Sequence, residues 1–367
     1  MGITIIVLLG LVIAIAAFMK STRFGKIPSG KAKEKIQQST NYKNNQFANI
    51  SDTPMLAEGV NYGTMMWDFF FNRPKFSAPP KPIPSHKTDL KTLDPKSDLL
   101  VWFGHSSYFM QIDGKTFLID PVLSGLASPV PNTTTSFPGS NVYSPDDFPL
   151  IDYLFITHDH WDHLDYRTIT KLKSKVKQII TSLGVGSHLI HWGYSPDIIV
   201  ETDWNTTTDL HDGFYVHTKS ARHFSGRGFT RNQSLWSSFV LQTPTQKIYI
   251  GGDSGYDTHF KSIGDEYGSF DLVLLECGQY NKNWRYIHMM PEETVQASID
   301  LKAKRLMPVH WGKFALSLHD WDEPIVRVST EAERLNQRLV TPKIGEIVRL
   351  KDGSQIFSNW WETLDME

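Results

Sequence analysis

Leu154-Phe155-Ile156-Thr157-His158-Asp159-His160-Trp161-Asp162-His163-Leu164-Asp165 is the stretch whose reading decides the fold. An apolar, β-prone run ends at Thr157, and the next six residues hold three imidazoles and two carboxylates. That density of donors asks for a cation. Neutral imidazole nitrogen and carboxylate oxygen suit zinc and its borderline neighbours, and the lack of thiols here argues against a closed structural cysteine site. On an extended segment His158 and His160 alternate onto one face while Asp159 points away. Asp162 and His163 follow after the chain turns and can reach a second ion.

Working outward, the flanks read as a layered α/β domain. Leu99 to Phe103 and Tyr108 to Ile112 are predicted strands, and Asp113-Gly114 is a hairpin turn into Thr116 to Ile119. Tyr153 to Ile156 delivers the metal loop, Tyr166 to Lys177 has helical spacing, and Gln178 to Thr181 is again strand-like. Strands that give way to alternating strand and helix indicate layers rather than an all-β barrel.

A two-ion centre needs more donors than one loop supplies, and candidates stand just past later strands. His223 follows Val216 to Ser220, Asp253 follows Lys247 to Ile250 and two glycines, and His310 follows Leu306 to Val309. One edge of a sheet sandwich could bring all of them together. His105, after Leu99 to Phe103, has the same placement without a defined role.

These motifs resemble those of the metallo-β-lactamase superfamily: His158-x-His160-x-Asp162-His163, then His223, Asp253 within Gly251-Gly252-Asp253-Ser254-Gly255, and His310 within Pro308-Val309-His310-Trp311-Gly312. Gly104-His105-Ser106-Ser107 and His288 ahead of Pro291-Glu292-Glu293 narrow the likeness. They resemble the branch that contains N-acylphosphatidylethanolamine-hydrolysing phospholipase D and lactonases of the ascorbate pathway. The resemblance implies an αββα sandwich with two Zn2+ ions at one edge. It places His158, His160 and His223 on one ion, Asp162, His163 and His310 on the other, and Asp253 between them. It further implies Asp162 and His288 as catalytic groups, His288 as a proton donor or substrate-oxygen ligand rather than a packing residue. Arg222 or Arg227 could meet an anionic substrate or be solvated loop charges.

Composition bounds the remainder. The chain has 367 residues, 40% hydrophobic and 21% charged, with a net charge of -2 and a single cysteine, Cys277. It is long enough for one large or two modest domains, has no basic excess that would favour nucleic acid, and cannot form an intrachain disulfide. Ile3 to Met19 is uncharged and apolar, and Lys20, Arg23, Lys26, Lys31, Lys33 and Lys35 all follow it. That asymmetry predicts an uncleaved single-pass transmembrane anchor with the body on the cytoplasmic side, the alternative being a signal peptide cut near Ala14 to Ala17. Residues 1–20 are thus read as the anchor, 21–95 as an N-terminal arm and linker, 96–355 as the hydrolase domain and 356–367 as a tail. Within the arm, one short helix is expected around Lys31 to Gln38, and the apolar Met65 to Phe71 segment either packs on the domain or contacts lipid. Pro79, Pro80, Pro82 and Pro84 mark an extended linker.

The function expected from these features is a membrane-anchored, zinc-dependent phosphodiesterase of the phospholipase D type acting on a phospholipid or other small phosphodiester. Alternatives are a lactonase or other hydrolase of a soluble substrate, and a non-catalytic metal-binding member, which the complete donor set disfavours.

Overall fold

The computed structural model describes residues 2–364; Met1 of the expected anchor and 365–367 of the expected tail lie outside the described residues. The chain begins with α1 (Gly2–Met19), α2 (Lys31–Gln37), a small hairpin of β1 (Tyr42–Lys43) and β2 (Gln46–Phe47), and α3 (Tyr62–Phe71). Next come β3 (Leu99–Trp102), β4 (Tyr108–Ile112), β5 (Lys115–Ile119), β6 (Ile151–Ile156), α4 (Tyr166–Leu172), β7 (Val176–Ser182), α5 (Gly186–His191) and β8 (Ile199–Thr202). The remainder runs β9 (Thr206–Asp209), β10 (Tyr215–Ser220), β11 (Ser237–Gln242), β12 (Lys247–Ile250), α6 (His259–Tyr267), β13 (Leu272–Glu276), α7 (Pro291–Asp300), β14 (Leu306–Val309), α8 (Glu323–Arg334) and β15 (Ile347–Arg349).

Besides the β1-β2 hairpin, two large sheets form among the described residues, ordered β15-β3-β4-β5-β6-β7-β8 and β14-β13-β12-β11-β10-β9. The period of two along each strand divides the first sheet's side chains between two cores. Leu100, Trp102, Met110, Phe117 and Phe155 join Phe239, Leu241 and Ile248 of the second sheet. Their neighbours Leu99, Val101, Phe109, Leu118 and Leu154 join Ile169 and Leu172 of α4 and Leu189 of α5. Phe260, Val295 and Ile325, from α6, α7 and α8, cover the second sheet. The layers are therefore α, β, β, α, the sandwich that the motifs imply. The Asp113-Gly114 turn has φ of +47° and +78°, the left-handed pair that a two-residue hairpin requires.

Two expectations are corrected. The helix predicted over Tyr166 to Lys177 stops at Leu172, because Val176 is buried as the first residue of β7. Lys175 turns its ammonium onto the carbonyls of Pro145 and Phe148, at 2.8 and 2.9 Å, which ties the turn to the preceding loop.

The single-pass anchor is the other correction: among the described residues no helix is long and apolar enough to cross a membrane. The expected localisation, a catalytic body held at the cytoplasmic face by that anchor, falls with it. A helix of 18 residues spans about 27 Å, short of a hydrocarbon layer about 30 Å thick. Its last turn is also engaged elsewhere, since Phe18 and Met19 are half-buried and Phe18 meets Phe24 edge-on at 5.4 Å.

The arm that follows is fastened to the sandwich. Ile36 and Phe47 are buried with Leu183, Trp204, Leu235 and Trp236. Asn49 brackets the His223 backbone, donating to its carbonyl at 2.8 Å and accepting from its amide at 3.1 Å. Pro79 to Pro84 lie outside helices and strands, and Ile83 among them is buried in the main core.

Candidate metal centre

The ends of β6, β10, β12, β13 and β14 meet at one edge of the sandwich. Asp120, just after β5, sets the geometry of the His-x-His loop. Its carboxylate accepts from the Thr157 amide at 2.9 Å, the Thr157 hydroxyl at 2.6 Å and His163 Nδ1 at 2.8 Å. With its proton given to Asp120, the Thr157 oxygen accepts from His158 Nδ1 at 3.0 Å. His158 and His163 are thereby held as Nδ1–H tautomers whose Nε2 lone pairs face inward. His223 Nδ1 donates to the Ile287 carbonyl at 2.8 Å, and His310 Nδ1 to that of Gly278 at 3.2 Å. Gly278 makes the latter approach possible: a Cβ there would lie 2.2 Å from the His310 carbonyl oxygen.

The inward atoms crowd together. His160 Nδ1 stands 2.9 Å from His158 Nε2 and 3.2 Å from His223 Nε2. Asp253 Oδ2 is 3.8 Å from His158 Nε2, 3.7 Å from His223 Nε2, 3.1 Å from His163 Nε2 and 3.2 Å from His310 Nε2. Asp162 Oδ2 is 3.3 Å from His310 Nε2 and 3.7 Å from His163 Nε2. Two four-residue groups emerge, His158, His160, His223 and Asp253, and His105, Asp162, His163 and His310, each with its donor atoms within 4.8 Å of one another.

Nitrogen donors on tetrahedral bonds of about 2.0 to 2.1 Å stand about 3.3 Å apart, close to these separations. His160 Nε2, His163 Nε2 and Asp253 Oδ1 are buried without a hydrogen-bond partner. Lone pairs aimed at one another and orphaned polar atoms are costly in a protein interior, and a cation among them removes the cost. The residues present fit a pair of metal ions, and all seven expected ligands are brought together.

Charge is divided within the cluster. Burial, with the nearby imidazole of His163, pushes His158 well below the usual histidine range. His310 goes the other way: burial opposes its charge, yet Asp253, Asp162 and Glu276 raise it to about 10. Asp162 and Asp253 stay well below the usual carboxylate range against burial, each beside His163.

The remaining polar residues of the loop are structural. Asp159 points away from the centre as expected, accepting from His188 Nε2 at 3.1 Å, Ser234 Oγ at 2.7 Å and the Gly226 amide at 2.6 Å. Asp165 caps α4. Arg227 is buried, donates to the carbonyls of Asp159, Leu164 and Arg23, and lies 3.8 Å from the Trp161 ring centroid. Arg222 donates to Thr53 Oγ1 and to the Asp52 and Tyr256 carbonyls. Both guanidinium groups hold loops together. Arg227→Met therefore strands two buried carbonyls of the metal loop and is expected to cost about 2 to 4 kcal/mol of stability, measured by denaturant unfolding of the metal-loaded protein. Unchanged stability with a raised KM would instead make Arg227 a substrate contact.

His288 lies beside the centre, its ring 5.3 Å from that of His310 and 4.9 Å from that of His223. Its Nδ1 is 2.5 Å from Glu276 Oε2. Glu276, fully buried at the end of β13, also accepts from the Ser254 and Met289 amides at 2.9 and 3.2 Å. Glu276 and Asp120 escape a motif search. Their signal in the sequence is only an acidic residue closing an otherwise apolar strand, as in Leu272-Val273-Leu274-Leu275-Glu276 and Phe117-Leu118-Ile119-Asp120. His105, whose role the sequence leaves open, places Nε2 2.9 Å from Asp162 Oδ2.

The centre opens into a cleft of about 440 Å³ with Met65, Met66 and Phe69 of α3, Trp284 and Ile287 among its walls, and His160, Asp162, Asp253, His288 and His310 at its base. Asn61 caps α3 by accepting from the Thr64 amide at 2.9 Å, which fixes the start of that helix.

Residues 115–311 match the family described as beta-lactamase superfamily domain. An uncharacterized protein of Mycobacterium tuberculosis is 36% identical over 340 residues, covering 89% of this chain and 88% of its own. N-acyl-phosphatidylethanolamine-hydrolyzing phospholipase D 1 of Caenorhabditis elegans is 27% identical over 294 residues, covering 74% and 81%. Among solved structures, Igni18, a metallo hydrolase from Ignicoccus hospitalis, superposes with a TM-score of 0.51 at 19% identity over 69% of this chain and 97% of its own, a likeness of fold.

Proposed function

The chain belongs to the metallo-β-lactamase superfamily, and from that premise we propose that it is a zinc-dependent phosphodiesterase acting on an N-acyl phosphatidylethanolamine-like lipid. The coarser statement, that it is a metal-dependent hydrolase, rests on its relatives and on the clustered donors. The finer one is carried by a single observation: the donor cluster forms the base of a cleft whose walls are apolar side chains of α3 and the Trp284–Ile287 segment. Such a cleft suits an acyl chain next to a reacting polar group, whereas a small lactone would leave it unfilled. The Caenorhabditis elegans relative, named for phospholipase D activity, supports the same reading.

His158, His160 and His223 would hold one ion, Asp162, His163 and His310 the other, and Asp253 stands between them. Bound zinc supplies Lewis acidity toward a phosphoryl oxygen and acidifies water enough to furnish a nucleophile near neutral pH. The chain's own part is orientation. Asp120 and Thr157 fix the tautomers of His163 and His158, so their donor atoms need no rearrangement when substrate arrives. His105 steadies the Asp162 carboxylate from the protein side. Glu276 holds His288 Nδ1, leaving Nε2 as the atom that can pass a proton to the departing alkoxide oxygen.

Purified protein of measured metal content, given N-acyl phosphatidylethanolamine in mixed micelles, is expected to release phosphatidic acid and an N-acylethanolamine. Metal-replete protein that ignores every phosphodiester and opens lactones would refute the phosphodiesterase reading while leaving the metal centre intact.

A further inference from the structure

The donor cluster opens not into one cleft but into two. Besides the cleft under α3, a second of about 470 Å³ is lined by Phe18 and Met19 at the end of α1, by Val130, Trp161 and Phe229, and again by His160 and Asp162. Each volume lies in the range of small-molecule sites, about 300 to 1,000 Å³. The clefts share four residues: His160, Asp162, Phe224 and Arg231. Among the described residues Arg231 is the only Lys or Arg that lines the cleft under α3. It is exposed, its guanidinium lies 5.0 Å from the Phe224 ring centroid, and no carboxylate among the described residues is within ion-pair distance of it. Arg227, the other arginine of the second cleft, is committed to backbone carbonyls.

We infer that the two clefts take the two substituents of one anionic diester, and that Arg231, at their junction, is the specificity-determining residue that reads its negative charge. This rests on the phosphodiesterase reading and deepens it. A diester carries two arms and one negative charge centred between them. A monoester would leave one cleft empty, and a lactone would leave both clefts and Arg231 without a partner. The planar guanidinium, backed by Phe224, can donate two hydrogen bonds to a phosphoryl group, a geometry that an ammonium lacks.

Binding to the metal-loaded protein, measured by calorimetry, tests this without turnover. The probes are dihexyl phosphate, methyl hexyl phosphate and the neutral triester methyl dihexyl phosphate. Arg231→Ala is expected to weaken dihexyl phosphate by about tenfold or more and to leave the triester unchanged, with Arg231→Lys in between. Met66 and Phe229 are 45% and 86% exposed, so an aspartate at either leaves the core intact. Met66→Asp and Phe229→Asp should each weaken dihexyl phosphate, while only one of them affects methyl hexyl phosphate. Equal effects of Arg231→Ala on charged and neutral probes, or no effect of Phe229→Asp on either anionic probe, would overturn the assignment. If the probes bind as described but no phosphodiester is cleaved, the reaction is wrong and the two-armed site stands. If diesters are cleaved and Arg231→Ala changes nothing, the reverse holds.

Discussion

Asp253→Ala is expected to remove bound metal and hydrolysis together, lowering turnover by at least about a thousandfold. Asp253 Oδ2 lies between the two donor groups, 3.1 Å from His163 Nε2 and 3.2 Å from His310 Nε2 on one side, and under 4 Å from His158 and His223 on the other. Among the described residues no other carboxylate faces both groups, so its loss would leave six donors with no anion between the two ions proposed. Metal-assisted stabilisation is worth several kcal/mol, and about 4 kcal/mol corresponds to a thousandfold in rate. Metal per chain, read by elemental analysis, should fall below that of the unsubstituted protein. Asp253→Asn, close in shape, separates loss of charge from a packing defect. Two ions retained with activity lost would show that Asp253 serves the reaction and not the metal.

His288→Ala should lower kcat by about 10² to 10⁴ while the metal content holds, because a positioned proton donor contributes on that scale. Its Nδ1 is committed to Glu276 at 2.5 Å, which leaves Nε2 for the proton transfer. Asp253, Glu276, His288 and His310 nevertheless form a third cluster of close donor atoms, so metal stoichiometry is the deciding readout. If His288→Ala loses metal as Asp253→Ala does, His288 is a ligand. Glu276→Gln sharpens the distinction. The glutamine oxygen can still accept from the Ser254 and Met289 amides, but its amide nitrogen would face His288 Nδ1 and invert that hydrogen bond. A positioning role predicts a smaller fall in kcat than His288→Ala together with an altered pH–rate profile, which a purely structural role would not produce.

The strands and the donor string were legible in the sequence because both are local. The apolar run Tyr108 to Ile112 states a buried strand and Asp113-Gly114 the turn that follows, whereas the division of that strand's side chains between two cores is the fold's doing. Three imidazoles and two carboxylates within six residues state a need for a cation before any partner is known. What holds those groups in place was not legible, since each partner is distant in the chain and neutral in pattern. Asp120 reaches His163 across 43 positions, His105 reaches Asp162 across 57, and Glu276 reads as the end of a strand until the fold sets it against His288. Nor could the sequence rank its arginines. Arg227 and Arg231 are four residues apart and alike in composition, but the fold buries the first under Trp161 and Trp192 and leaves the second at the mouth of the clefts. The apolar start of the chain shows the same limit, because hydropathy measures a run's dislike of water and not its length against a bilayer or the packing of its last turn on Phe24. Periodicity and donor chemistry are properties of neighbouring residues, whereas tautomer, burial and access depend on which distant residues the folded sandwich brings within about 3 Å.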